Sequence, residues 1–502
     1  MTNKPKGNLG YLIELVTDSA IYGLSQAGAA FVGLLLLPIL TRVFSPDEYG
    51  VIGLISPGIS LLVLITGLQI VSGIARYYYE VKGELRRTLL STGLFLSLPF
   101  PLLICLGALP WAGQISQLLF ASPVYGKALS FALFSVVLKV ILGYLLLVLR
   151  FERAAIKYSI LAIGNLATMA ILSIFFVVSL HKGVEGVFLG FFLADLLFAI
   201  VAFLLLRKRF TFAFSVPFTK DILSYSIPII PLPIAGWFRT YIYRFLLLPI
   251  VGLAGVGIFT SGANVSMVTL LITSSFGLAW GPFAMSVMHE ENHRFIYTKV
   301  LTYSTVALAA VAFLLTLFSH EITHILLPSN YWEAYRLVGL LAAAFVLDGV
   351  FQIVAIGTLI VKKAYLDTIA FLVGIASGIG CLVVLTPYIG IMGAAIATLL
   401  GSTIAVAVEF YLAQRVYYID YEWKRVLSIL LLLLIFIPLI ILVDGMENGG
   451  LRLGLKIVGL GLFSLGLWKS LQKEEVSAGL DFLRQKVASS KIRIFINSRG
   501  KR

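Results

Sequence analysis

Charge is scarce in this chain. Asp, Glu, Lys and Arg together make up 12% of its 502 residues, about half of what a soluble domain carries, and that excludes a water-soluble globular protein. Cysteine is nearly absent: Cys105 and Cys381 both lie inside apolar runs, which excludes a disulfide framework and a cysteine-based zinc or iron–sulfur site. No G-x-x-x-x-G-K-[ST] loop occurs, so the chain is not expected to hydrolyse nucleotide itself. The first 17 residues are polar, and the apolar run after them is too long for a signal-peptide core and has no small-residue cleavage pattern. That run is expected to remain as the first membrane span.

What is abundant is apolar length. Hydrophobic residues make up 60% of the chain and the mean hydropathy is +1.00. Runs long enough to cross about 30 Å of hydrocarbon predict fourteen helices, starting near residues 19, 50, 89, 127, 158, 185, 222, 254, 298, 336, 365, 390, 425 and 450. The runs are continuous rather than alternating, so an all-α integral membrane bundle is expected and not a barrel. With the N-terminus cytoplasmic, twenty-nine of the 38 lysines and arginines fall on the inner side, eight on the outer side, and Lys139 within a span. The positive-inside bias therefore predicts a multi-pass protein of the inner (plasma) membrane with both termini cytoplasmic. It also accounts for most of the net charge of +14 without nucleic acid as a partner. Residues 469–502 are basic, and Val476, Leu480, Leu483 and Val487 have amphipathic helical spacing, which predicts a tail lying on the anionic inner leaflet.

Two segments repeat. Leu35-Leu36-Leu37-Pro38-Ile39 recurs as Leu246-Leu247-Leu248-Pro249-Ile250, and Gly183-Val184-Glu185-Gly186 is matched by Gly390-Ile391-Met392-Gly393. The offsets are nearly equal and bracket six spans each, which predicts a duplicated six-helix unit related by an axis along the membrane normal. The expected organisation is an N-lobe over 1–210, a C-lobe over 211–415, a helix pair over 416–468 and the tail over 469–502.

The stretch Leu40-Thr41-Arg42-Val43-Phe44-Ser45-Pro46-Asp47-Glu48-Tyr49-Gly50 resembles the first outer loop of the Wzx-type polysaccharide flippases of the multidrug/oligosaccharidyl-lipid/polysaccharide (MOP) exporter superfamily. Arg76-Tyr77-Tyr78-Tyr79-Glu80, Tyr225-Ser226-Ile227-Pro228 and Gly255-Val256-Gly257-Ile258-Phe259 follow in the same order. The resemblance covers residues 10–415 and implies two six-helix lobes in a V, moving a polyprenyl-diphosphate-linked oligosaccharide. The last two spans resemble the extra pair of the MurJ-type lipid II flippases, where such helices form a groove for the lipid tail.

An ionisable group in mid-membrane costs about 2.5–3.5 kcal/mol, so the embedded charges are the candidate site. Lys139 lies halfway along the fourth span, and Arg239 and Arg244 lie in the outer half of the seventh, where snorkelling to outer headgroups is the rival reading for both. Arginine forks and a lysine point charge suit a diphosphate. The acidic set is Asp195, Asp348 and Glu409. The repeat maps Lys139 near Asp348, which suggests a charge pair across the central cavity; the alternative is that each finds a partner inside its own lobe. Arg76, Arg150 and Arg153 stand at inner span ends, where topology alone would place them, and Arg76 is the one the resemblance covers. Substrate-binding candidates are thus Arg76, Lys139, Arg239, Arg244 and Asp348. Pro228, Pro231 and Pro233 require the seventh helix to break or bend.

His289-Glu290-Glu291-Asn292-His293 matches the zinc-protease pattern H-E-x-x-H, and Leu347-Asp348-Gly349 resembles a second protease motif. The first match falls in a polar loop, remote from Asp348, so neither a metal site nor an enzyme is expected. The expected function is flipping of a lipid-linked oligosaccharide to the outer leaflet by alternating access, without a cofactor. Coupling to an ion gradient or to the membrane potential stays open. The expected partners are that substrate, membrane lipids, and polysaccharide polymerase and export proteins. The alternatives are a lipid II flippase, a MATE-like cation/drug antiporter using Asp195, Asp348 or Glu409, a lipid scramblase, and a structural subunit of a polymerase complex.

Overall fold

A computed structural model describes residues 32–470, so the polar N-terminus, most of the first expected span and the amphipathic tail lie outside the described residues. The described chain is helical throughout, with no strands. Twelve of its helical stretches are long and apolar enough to cross a membrane. One of these, Pro233–Ser286, is two helices merged across Gly252, whose φ of 71° interrupts the helix. The shorter apolar helix Val32–Val43 precedes them all.

The first of the described helices are α1 (Val32–Val43), α2 (Pro46–Thr66), α3 (Ile70–Tyr77), α4 (Gly83–Ser97), α5 (Pro99–Ala108), α6 (Ala112–Phe120), α7 (Gly126–Phe151), α8 (Ala155–Ile174) and α9 (Gly183–Leu206). After them come α10 (Val216–Ser226), α11 (Pro231–Ser286), α12 (His293–Leu317), α13 (Ser319–Leu326), α14 (Tyr335–Val354), α15 (Ile356–Ile360), α16 (Tyr365–Ile389), α17 (Ile391–Val416), α18 (Trp423–Asp444) and α19 (Gly449–Ser470).

Local chemistry sets the ends and breaks. Ser45 caps α2 in a reciprocal box with Glu48, and Pro46 follows at the first helical position, where its missing N–H costs nothing. The expected break in the seventh span is present: α10 ends in a 3-10 turn, Ile227–Ile229, before α11 restarts at Pro231. Gly183 and Gly390 open α9 and α17 with φ of 58° and 57°, a conformation that favours glycine. The repeated glycines therefore do the same backbone job in each half.

Packing is asymmetric along the bundle. At the end that carries residues 44–45, 121–122 and 327–328, a single core draws on both halves, from Leu37, Val51 and Val187 to Val256, Leu337 and Ala394. A second core uses only residues between 280 and 463, and a third only residues between 70 and 222. The two halves thus share one core at the Ser45 end, and towards the other end two further cores are each drawn mostly from one half. There α10 of the second half packs on α3 and α4 of the first, with Ile222 inside the third core.

The terminal pair is held by charge as well as by stacked rings. Lys456 of α19 bonds Asp444 at 2.6 Å and Glu321 at 2.7 Å, and the Phe313 and Phe463 rings stack 3.7 Å apart. At the opposite end Glu422 receives Lys299 at 2.7 Å, Thr302 at 2.8 Å and Arg425 at 3.1 Å. Partial burial would raise this carboxyl, but the three hydrogen bonds outweigh it and hold Glu422 below the ordinary glutamate range.

Candidate functional site

The site begins with a missing hydrogen bond. Pro57 sits inside α2 and has no N–H, so the Gly53 carbonyl one turn earlier loses its helical donor. Arg244 of α11 reaches that oxygen with Nη1, at 3.5 Å. Just beyond, the Trp237 indole donates to Pro57 O and to Ser60 Oγ, both at 3.0 Å. On the same face Asn264 donates to the Tyr49 hydroxyl at 3.0 Å. The kinked wall of α2 and the facing α11 enclose a polar cavity of about 240 Å³, which Tyr49, Ser56, Ser60, Arg244, Thr260 and Asn264 line.

Arg244 is the anomaly in this cavity. It is 6% exposed, its Nε has no partner, and among the described residues no carboxylate neutralises it. A buried arginine without a counter-ion retains its desolvation cost, which an anion entering the cavity would offset. The position also excludes snorkelling, because the side chain points between helices rather than to a membrane surface.

Lys139, Asp195, Arg239 and Asp348 are satisfied internally. Lys139 lies 3.0 Å from Asp195, whose side chain is fully buried and also receives Asn165 Nδ2 at 3.2 Å. Arg239 forms an ion pair with Asp348, and a smaller void joins that pair to Arg244. Lys139 and Asp348 therefore do not pair across the cavity, and the alternative of separate partners holds. Each finds its partner on a neighbouring helix of its own half, Lys139 from α7 to α9 and Asp348 from α14 to α11. Arg239, Arg244 and Asp348 are brought together, Lys139 lines neither void, and Arg76 stays at the exposed end of α3, bound to Glu80.

Sequence reasoning missed the uncharged part of the site. Tyr49, Gly53, Ser56 and Ser60 recur at helical spacing along α2, so a polar stripe on an apolar helix was the signal available. The H-E-x-x-H residues span the turn between α11 and α12, not one helix face, and His293 Nε2 meets the Tyr417 hydroxyl at 2.5 Å. The described grouping that could hold a metal ion, His320, Glu321 and Asp444, is penetrated by the Lys456 ammonium. Burial, His324 and Arg452 push the His320 imidazole down to about 4.

Against the polar cavity stands an apolar one. On the opposite face of α2 and α11 lies a cavity of about 530 Å³, with Ile55, Leu62, Leu133, Trp237, Ile242 and Phe245 in its wall. Trp237 borders this cavity with its ring while its N–H bonds residues that line the polar one.

The model of a family described as polysaccharide biosynthesis protein matches residues 15–289. An uncharacterized membrane protein of Haemophilus influenzae is 24% identical over 198 residues, 39% of this chain and 46% of that protein. The matched segment thus spans about half the length of that relative. Among solved structures, the lipid II flippase MurJ in an inward closed conformation superposes with a TM-score of 0.71 at 15% identity, over 89% of this chain and 98% of that one. An inward-facing MATE-family multidrug resistance transporter of the MOP superfamily superposes with a TM-score of 0.65 at 18% identity, over 77% and 94%. At these identities the likeness is one of fold, and it is the MOP fold that the sequence resemblance implied.

Proposed function

This chain belongs to the polysaccharide biosynthesis protein family, and from that premise we propose that it flips a polyprenyl-diphosphate-linked oligosaccharide from the cytoplasmic to the outer leaflet by alternating access. The observation that carries the reading is Arg244, a buried cation without a counter-ion among the described residues, in a polar cavity between the two halves. A diphosphate supplies the missing charge and matches the guanidinium fork. Hydroxyls of Tyr49, Ser56, Ser60 and Thr260 offer hydrogen bonds to phosphate and sugar oxygens. The apolar cavity behind Trp237 has the lining a prenyl chain needs.

The remaining candidates take supporting roles. Arg239, held by Asp348 at the edge of the same space, tunes the field around Arg244, and Lys139 with Asp195 stiffens the first half. Arg76 stands where a headgroup would arrive from the inner leaflet. Polymerase and export proteins are the proposed partners, with both termini cytoplasmic in the inner membrane. A cation antiporter relying on Asp195 or Asp348 is disfavoured, because Lys139 and Arg239 already neutralise those carboxylates.

Thermal stabilisation of the purified protein by undecaprenyl diphosphate tests the reading, with a cationic dye as comparison. A charge-assisted hydrogen bond contributes about 1.5–3 kcal/mol, so Arg244→Ala is expected to weaken the diphosphate lipid roughly ten- to hundredfold. Arg244→Lys should restore part of that loss, as a point charge replaces the fork. Stabilisation by the dye alone, unchanged in Arg244→Ala, would overturn the proposal.

A further inference from the structure

One buried acidic group has no cation near it. Glu409 on α17 is fully buried, and neither carboxyl oxygen has a hydrogen-bond partner when it is treated as an ionised acceptor. The group within reach is another carboxyl, that of Asp367 in the first turn of α16. Ionised carboxylates only accept, so two of them cannot bond; with one proton between them, one donates and the other accepts.

The surroundings say which carboxyl holds the proton. Asp367 is partly exposed, accepts from the Thr358 hydroxyl of α15, and sits at a helix N-terminus, where negative charge is favoured. Glu409 has none of these. The titratable groups packed around the pair are the buried Tyr421 hydroxyl, itself without a partner, and beyond it Tyr297 and Tyr417. Lys362 and Lys363 on the preceding turn are exposed, and among the described residues no basic side chain forms an ion pair with either carboxyl.

We propose that Glu409 and Asp367 form a proton-binding site, with the proton on Glu409 donated to Asp367 and exchanged with water through the partly exposed Asp367. The site is separate from the Arg244 cavity and does not depend on what that cavity binds. It joins α16 to α17 beside a small-residue crossing where Gly374 meets Gly401 and Ala405. Loss of the proton places two anions side by side in a buried setting, and their repulsion acts on that joint.

Infrared difference spectroscopy of the purified full chain tests the site through the C=O stretch of a protonated carboxyl. A band is expected at neutral pH in wild type, lost in Glu409→Gln, and kept at a shifted frequency in Asp367→Asn, where an amide replaces the acceptor. Thermal stability supplies a second readout. Above the ordinary carboxylate range the folded state holds a proton that the unfolded state has released, so wild-type stability should fall as pH rises from mildly acid through neutral and level off once the folded pair ionises. Glu409→Gln should flatten that slope. Three results overturn the proposal: no such band in wild type, a band unchanged in both variants, or a band that appears only when sodium is replaced by choline, which would make the site a metal-cation site instead.

Discussion

Asp195 is closed off from solvent, so its charge rests on Lys139, with Asn165 as a second donor. The carboxylate is fully buried, while the lysine keeps about a quarter of its side chain exposed at 27%. Removing one member of a buried pair leaves an uncompensated charge and costs about 3 kcal/mol or more. Lys139→Met is therefore expected to lower the thermal midpoint strongly, and Lys139→Met with Asp195→Leu to recover most of the loss, read by unfolding in detergent. A double variant as damaged as the sum of the singles would mean that the two charges act separately. At this scale the sequence was legible where desolvation is expensive in mid-span: Lys139, Asp195, Arg239, Arg244, Asp348 and Glu409 stood out by cost alone, whereas Asp367, Asp444 and Lys456, nearer the helix ends, did not. Pairings did not show, because a repeat offset relates equivalent positions and carries no information on which neighbouring helix faces which. Tyr49, Ser56 and Asn264 went unread for the opposite reason, since an uncharged polar group in a helix costs too little to announce itself.

The two halves are clasped where α2 crosses α11. A Cβ on Gly50 would overlap the Leu253 carbonyl, and one on Gly257 would overlap the Pro46 carbonyl, so the backbones touch through glycine on both sides. Around the crossing, Tyr331 donates to Phe44 O at 2.9 Å, and Tyr49 meets Tyr331 edge-on at 5.9 Å. Gly257→Val is expected to force α2 and α11 apart and to shift the population towards a state open at the Ser45 end. Spin labels at the exposed Asp47 and Glu333 should then show a longer distance than in the parent protein. An unchanged distribution would remove the glycine crossing as the clasp. Element positions were mostly legible, because apolar length and proline placement are local properties: the α10–α11 break follows from Pro228, Pro231 and Pro233. The break between α2 and α3 did not show, since it is made by left-handed Leu68 and Gln69, residues that rarely adopt this conformation and need the surrounding fold to hold them there.

Across the whole molecule, one core draws on both halves at the Ser45 end, and at the other end α10 of the second half packs on α3 and α4 of the first. Under the proposed orientation the shared core lies on the outer side. The internal pairs Lys139–Asp195 and Arg239–Asp348 are neutral as units, so the charge that crosses the membrane is mainly that of the bound lipid headgroup. A potential negative inside favours outward movement of an anion by about 2.3 kcal/mol per charge per 100 mV, roughly a fiftyfold bias per charge. In oriented proteoliposomes, a potassium diffusion potential of that sign is expected to raise outward transfer of a fluorescent polyprenyl-diphosphate oligosaccharide, and the reverse sign to suppress it. Arg244→Ala should reduce transfer under both. Transfer that ignores the potential but follows an imposed pH gradient would show that proton movement balances the headgroup charge, and Glu409→Gln would then abolish the response to pH while leaving diphosphate binding intact.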